Sequence, residues 1–466
     1  MPRSCMISRR NFLKASVWGG VAALASRSPL LSQGSAASEP GSGLRFGANY
    51  VPRKRWWYCW QDWDQRAIEA DLKAIADLGL DHVRIQCLWP IFQPGISSVS
   101  DQALNNLHAL LDAADKAGLD VEITVLNGWM SGLAFMPAWV APLATPDNGK
   151  NWNMFVSPDV IEAEKLLFRK IAGTIGAHRR FLGFDLGNEL GVLQNENNNP
   201  VSQKEADAWA TEMFRYCDEI APGKFHVNGA DDSHYFADFG FSRQNLATTG
   251  HATVVHSYVF FTGALDRYKY SDPGSLHLAD YMVELAYAYQ TDLQRRVWVE
   301  EVGTSAEWMP ESYLPEFMEH VVRNIVSTGK VWGITWWCSH DIDPAIKGFA
   351  SLEYGLGLLD LENKPKPLGR KFAALVSEFH HSPSWIMPRK TALVIPERGL
   401  SAKPWPPDWT YAKPYMTLVS QGEAPTIVLE SRAKDQEYLR ARGITNLVRL
   451  ATIRSSIRPQ ASARFV

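Results

Sequence analysis

The chain has 466 residues, 46% of them hydrophobic and 21% charged, which suits a globular protein with one large domain and a small one. A formal net charge of −3 gives no basic surface for nucleic acid, and the composition excludes a disordered or collagen-like chain.

The first 37 residues read as an address. Ser8-Arg9-Arg10-Asn11-Phe12-Leu13-Lys14 resembles a twin-arginine export signal. A weakly apolar stretch follows over Ala15–Ala25, and Ser35, Ala36 and Ala37 suit a signal peptidase. Cleavage there removes Arg3, Arg9, Arg10, Lys14 and Arg27 and no acid, so the mature chain is more acidic. Its expected location is periplasmic or extracellular. No other run is long and apolar enough to span a bilayer, and no membrane association of the mature form is expected. Of the cysteines, Cys59 is placed to pair with Cys87 or Cys338; free thiols, Cys217 included, fit the spacing equally.

From Arg45 short apolar runs alternate with helical patterns. Strands are expected at 45–50, 82–87, 120–126, 181–187, 225–229, 252–258, 296–302 and 331–338. Helical apolar spacing occupies 66–78, 104–117, 314–327 and 368–379, among others. Helix-to-strand turns are short and often carry Gly, as at Gly79 and Gly118. Strand-to-helix connections are long, notably 51–64, 127–157 and 339–367. Long loops on one face only, with eight such units, predict a (β/α)₈ TIM barrel over residues 44–382. An open doubly wound sheet is the rival fold, but no Gly-rich phosphate loop follows strand 1. A proline-rich linker then leads to a small, incomplete α/β unit and a loose tail within residues 383–466. Its expected order is strand (391–395), helix (411–419), strand (426–430), helix (433–442) and strand (446–450).

In a barrel, chemistry gathers at the C-terminal ends of the strands. Glu189 closes strand 4 in Gly187-Asn188-Glu189, and Glu301 closes strand 7 in Glu301-Val302-Gly303. Two carboxyl groups facing each other across the mouth suit glycoside hydrolysis with retention, one as proton donor and one as nucleophile. Two adjacent acids compete for the second place. Val297 and Val299 share parity with Glu301, which would turn Trp298 and Glu300 outward to the helix layer.

Over residues 46–379 the chain resembles glycoside hydrolase family 5, the cellulase and mannanase family of retaining (β/α)₈ enzymes. The resemblance implies Glu189 as acid/base with Asn188 on the sugar 2-hydroxyl, and Glu301 as nucleophile. It implies Arg84 of Val83-Arg84-Ile85 as a hydrogen-bond partner of that nucleophile. It matches His256-Ser257-Tyr258 to a His-x-Tyr at strand 6, with His256 and Tyr258 at the site, and Trp337 to a sugar platform at strand 8. A His common after strand 3 is replaced by Leu126-Asn127-Gly128-Trp129, where Asn127 takes over part of its role.

The strand-to-helix connections are crowded with tryptophan, and Trp57, Trp89 and Trp129 join Trp337 as expected sugar contacts. The expected partner is carbohydrate, of β-mannan or β-glucan type, with no cofactor and no metal. Alternatives are an exo-acting β-glycosidase on oligosaccharides, a non-catalytic sugar-binding barrel, and a metal-dependent hydrolase using His340, Asp341 and Asp343.

Overall fold

The structure, a computed structural model, describes residues 43–140, 153–194, 199–382 and 385–451; the expected export leader lies outside them. Eight parallel strands form the central sheet: β1 (Arg45–Asn49), β2 (His82–Leu88), β3 (Asp120–Asn127), β4 (Phe181–Asn188), β5 (Val227–Gly229), β6 (Thr253–Ser257), β7 (Val297–Val302) and β8 (Val331–Trp336). The pairing order is β5-β4-β3-β2-β1-β8-β7-β6. The remaining seam, β5 to β6, is drawn together by the amide of His251 donating to the His226 carbonyl at 2.8 Å. This is a nearly closed barrel.

Eight helices cover it: α1 (Gln65–Asp77), α2 (Asp101–Ala117), α3 (Pro158–Ile175), α4 (Gln203–Ile220), α5 (Arg243–Thr248), α6 (Leu278–Ala288), α7 (Leu314–Ser327) and α8 (Pro367–His381). Their ends are set locally. Asp64 and Ser100 accept hydrogen bonds from the amides of Ala67 and Ala103, and Ser202 and Glu205 form a reciprocal capping box. Gly118 ends α2 at φ 83°, a left-handed conformation costly to any side chain.

Beyond α8, β9 (Thr391–Ile395), α9 (Ala412–Ser420), β10 (Thr426–Leu429), α10 (Gln436–Ala441) and β11 (Asn446–Arg449) build a three-stranded parallel sheet in the order β10-β9-β11. It packs against α6. That helix, Leu278-Ala279-Asp280-Tyr281-Met282-Val283-Glu284-Leu285-Ala286-Tyr287-Ala288, is buried along its whole length, because the extension covers the side that faces water in an ordinary barrel helix. The two buried acids of α6 are met from the extension: Tyr415 donates to Asp280 at 3.0 Å, and Thr426, Arg389 and Arg442 approach Glu284.

The barrel interior is largely polar. His82, Arg84, Glu122, Thr124, Asp185 and Thr335 are all buried there, while Val83, Ile85, Val121, Ile123, Val297 and Val299 join the core shared with the helices. The bottom is plugged by Trp298 and Trp332, with ring centroids 4.6 Å apart, against His82. Trp298 donates its indole N–H to Thr335 at 2.8 Å. At the opposite end, the loops after β1, β2, β3, β6 and β8 form a separate apolar cluster including Trp56, Trp57, Leu88, Met130, Tyr258, Trp337 and Leu356. Cys59, Cys87, Cys217 and Cys338 are buried free thiols.

Candidate active site

The strand ends bring Glu189, Glu301 and His256 together: one carboxylate oxygen of each acid and one ring nitrogen lie within 4.8 Å of one another. Glu189 stands one residue past β4 at φ 47° and ψ 47°, and its amide donates to the Gly229 carbonyl at 2.7 Å. This left-handed turn, strained for a residue with a Cβ, is held by a backbone bond to the next strand.

Glu301 is held at both oxygens. Arg84 Nη1 donates to Oε1 at 2.6 Å and Tyr258 Oη donates to Oε2 at 2.7 Å. Arg84 is completely buried and spends its other donors on Asp185 Oδ2 (2.7 Å), Asn188 Oδ1 (2.9 Å) and Asn49 Oδ1 (3.1 Å). Asn188 donates its amide hydrogen to the Trp129 carbonyl at 2.8 Å. Its side-chain oxygen is thus committed to Arg84. Burial would lower the Arg84 pKa, but Glu300, Asp185 and Glu301 outweigh it and keep the guanidinium charged.

The position of Glu301 corrects the parity expectation. Val297 and Val299 face the helices, whereas Trp298 plugs the barrel interior. Strict alternation would then turn Glu300 inward and Glu301 outward. Both neighbouring strands show why this fails. Val255 and His256 of β6 pair with Val299 and Glu301, and Ile334 and Trp336 of β8 pair with Val299 and Val302. One extra residue in β7, a β-bulge, brings both glutamates inside. Glu300 is fully buried and meets His256 Nε2 at 2.9 Å and Arg84 Nε at 3.4 Å.

His256 lies 3.2 Å from Glu189 through Nδ1 and 3.6 Å from Glu301. Burial alone would lower its pKa, but the carboxylates of Glu301, Glu189 and Glu300 push it well above the ordinary 6.5. Glu189 moves upward from 4.5, mainly through burial and further through Glu301, while the hydrogen bond from His256 pulls the other way. Glu301 is thus clamped by two donors, while Glu189 is biased toward its protonated form. Such an arrangement suits double displacement: attack by one oxygen on an anomeric carbon while the other group protonates the departing oxygen.

The expected aromatic contacts divide. Trp337 ends β8 beside Trp56 and the Gly303 backbone, at the mouth. Trp129 is half-buried, on the short hairpin that receives Asn188. Trp89 is a correction: it is wholly buried, edge-on to Trp139, with its N–H on Gln93, and offers no face to a ligand. Trp57 is a second: its ring sits 4.6 Å from Phe135 and 4.5 Å from Phe349, inside the loop cluster. Asn127 is buried and donates to Gln86 at 3.0 Å rather than standing free in the mouth.

Sequence reasoning missed Asp185, which accepts from Arg84, Thr124 and the amide of Gly229 and whose pKa burial and Glu300 raise to about 6. It missed Asn49, and the exposed Phe260 and Phe261 beside Tyr258 and Trp308. For Asn49, Phe260 and Phe261 the signal was position alone, at or past a strand end; Asp185 lies inside β4. The alternative metal set is otherwise engaged. His340 bonds Ser339 and Asn363, Asp341 binds Lys366, and Asp343 caps the amide of Ala345.

Comparison with known proteins gives no matching family model and no matching curated protein. Solved structures do match. A GH5_18 protein from Streptomyces cattleya, in complex with Manβ1-4GlcNAc, is 36% identical with a TM-score of 0.82, over 88% of this chain and 100% of that one. A GH5_18 protein from Bifidobacterium longum subsp. longum is 32% identical with a TM-score of 0.79, over 88% and 97%. The chain belongs to glycoside hydrolase family 5. An exo-β-1,4-mannosidase from an Opitutaceae bacterium, 23% identical with a TM-score of 0.70 over 83% of this chain and 70% of that one, shares the fold. As a family 5 enzyme, the protein is a retaining β-glycoside hydrolase, and the polar interior beneath its mouth serves a catalytic site.

Proposed function

We propose that the enzyme is an exo-acting β-mannosidase that removes a terminal β-mannosyl residue from short oligosaccharides of the Manβ1-4GlcNAc type. Glu301 is the nucleophile and Glu189 the acid/base in this reading. The observation that carries it is the seat of Trp57, whose ring packs against Phe135 of the loop after β3 and Phe349 of the loop after β8. Three loops are thereby tied together at the mouth, which supports entry of a chain end rather than passage of a polymer. The Streptomyces cattleya relative with bound Manβ1-4GlcNAc supports the sugar. Stacking on Trp337, hydrogen bonding by Asn188 and polar contact with Tyr258 fit a single pyranose between the acids.

Incubation of the purified protein with Manβ1-4GlcNAc, manno-oligosaccharides and soluble galactomannan tests this. Mannose is the expected sole early product from the short substrates, with the polymer nearly inert. Early release of mixed oligosaccharides from the polymer would reject exo action, and a preference for β-glucosides would reject the sugar.

We also infer, from Ser8-Arg9-Arg10-Asn11-Phe12-Leu13-Lys14, that the folded enzyme leaves the cytoplasm by twin-arginine export, to work in the periplasm or outside the cell.

A further inference from the structure

The bulge in β7 does more than deliver Glu301. It places a second carboxylate, Glu300, on the far side of the His256 ring from Glu189. His256 Nε2 is 2.9 Å from Glu300 Oε2, and His256 Nδ1 is 3.2 Å from Glu189 Oε1. The ring is completely buried and touches carboxylates at both nitrogens. A neutral imidazole donates from only one nitrogen and accepts at the other. With the proton on Nε2 facing Glu300, Nδ1 would accept, and the proton of Glu189 would turn toward the ring instead of toward a substrate.

We propose that Glu300 is a positioning residue that keeps His256 doubly protonated, so that Nδ1 donates to Glu189 and the acid's own proton is left facing the glycosidic oxygen. The inference rests on Glu189 being the acid/base. When Glu189 has given up its proton, the same Nδ1–H stabilises the carboxylate that must next activate water. The raised pKa of His256 agrees with this geometry. The charged and titratable groups facing the ring and Glu189 are Glu300 and Glu301 of β7, Arg84 of β2, Asp185 of β4, Tyr258 after β6, Asp231 and Asp232 after β5, and the buried Glu353 after β8, whose own pKa burial and Glu301 raise to about 7. Among the described residues, only Glu300 meets Nε2.

Removing that anion lowers the pKa of His256, since the second ring proton is then held by less negative charge. Glu300→Gln should therefore move the alkaline limb of kcat/KM down by about one pH unit. The loss at the wild-type optimum should be larger than the loss at the new one, and Glu300→Asp should restore most of the profile. A residue that only filled space would lower activity equally at every pH. Imidazole nitrogen NMR reads the ring directly, with the His256 signal assigned by its loss in His256→Asn. It should report two N–H protons across the active pH range of the wild type and a titration at lower pH in Glu300→Gln. An unshifted profile, or a wild-type His256 ring that is neutral at the optimum, overturns the proposal. The wild-type spectrum decides even if Glu300→Gln fails to fold. Glu189→Gln on good and poor leaving groups tests the acid separately, and an equal loss on both would remove that foundation.

Discussion

Tyr258 donates its hydroxyl hydrogen to Glu301 Oε2 at 2.7 Å, while Arg84 takes the other oxygen of the same carboxylate. The two donors fix the rotation of the carboxylate, and with Glu301 as the proposed nucleophile the phenol must release its oxygen as that oxygen becomes bonded to sugar. Burial and the negative charge of Glu301 raise the pKa of Tyr258 well above 10, so the donor stays protonated across any working pH. Tyr258→Phe should lower kcat by roughly 10–10²-fold through loss of one charge-assisted hydrogen bond, with little change in KM. Steady-state kinetics on an aryl β-mannoside checks this; a change confined to KM would make the tyrosine a binding group only.

Glu189 is biased toward its protonated form, and if it is the acid, as proposed, that form is the active one at the start of the cycle. Its raised pKa therefore extends activity upward in pH, and the alkaline limb of kcat/KM marks its loss. Glu189→Gln should abolish that limb. The rate should fall by about 10²–10⁴-fold on substrates with poor leaving groups and much less on activated aryl glycosides, for which protonation matters little. A surviving alkaline limb would assign the acid elsewhere.

Trp89 distinguishes a ring that builds the site from one that touches sugar. It is fully buried against Trp139, with its N–H on Gln93. Trp89→Ala should destabilise the fold by about 3–5 kcal/mol, seen as a lowered unfolding midpoint in denaturant. Enzyme that remains folded should show a KM close to that of the wild type. A large rise in KM with unchanged stability would return Trp89 to the sugar.

The contrast between strands and tryptophans shows what the sequence made legible. The barrel strands stood out because short runs carrying Val, Ile and Phe on their helix-facing side recur between long helical patterns, and α7 matched its expected span of 314–327 because its apolar period is unbroken. Glu189, Glu301, His256 and Tyr258 lie at or just past strand ends, Arg84 lies deeper within β2, and the fold brings them together. Trp57 and Trp89 were not legible as packing residues, because a ring in a long loop looks the same in sequence whether it meets a ligand or another loop. The β7 parity misled for a different reason. Branched residues marked the helix-facing side, while the interior around Arg84 carries polar side chains, and a bulge leaves no trace in a period-2 pattern.

Export can be tested without the enzyme's chemistry. Changing Arg9 and Arg10 to Lys keeps the charge of the proposed leader but removes the arginine pair that a twin-arginine route would read. Cell fractionation should find the double variant retained as precursor in the cytoplasm. Normal export of that variant would argue for a different route.

The nucleophile assignment must separate two adjacent glutamates that both face the interior, so burial cannot decide between them. Their partners can. Glu301 is reached by Arg84 Nη1 at 2.6 Å and Tyr258 at 2.7 Å and faces Glu189 within 4.8 Å, whereas Glu300 meets His256 on the side away from Glu189. Glu301→Ala should lose roughly 10⁴-fold or more of its hydrolysis, since the covalent step has no substitute. Azide in the vacated space should restore turnover of an activated β-glycoside and give the α-glycosyl azide, because it attacks from the face the carboxylate used. Glu189→Ala should instead give the β-glycosyl azide, since there azide replaces water at the covalent intermediate and the second displacement inverts again. Glu300→Ala should also lose activity, because His256 loses its anchor, but azide should neither rescue it nor appear in product. Product stereochemistry by proton NMR reads all three variants. An α-azide from Glu300→Ala, or robust hydrolysis by Glu301→Ala without azide, would transfer the role to the neighbouring residue.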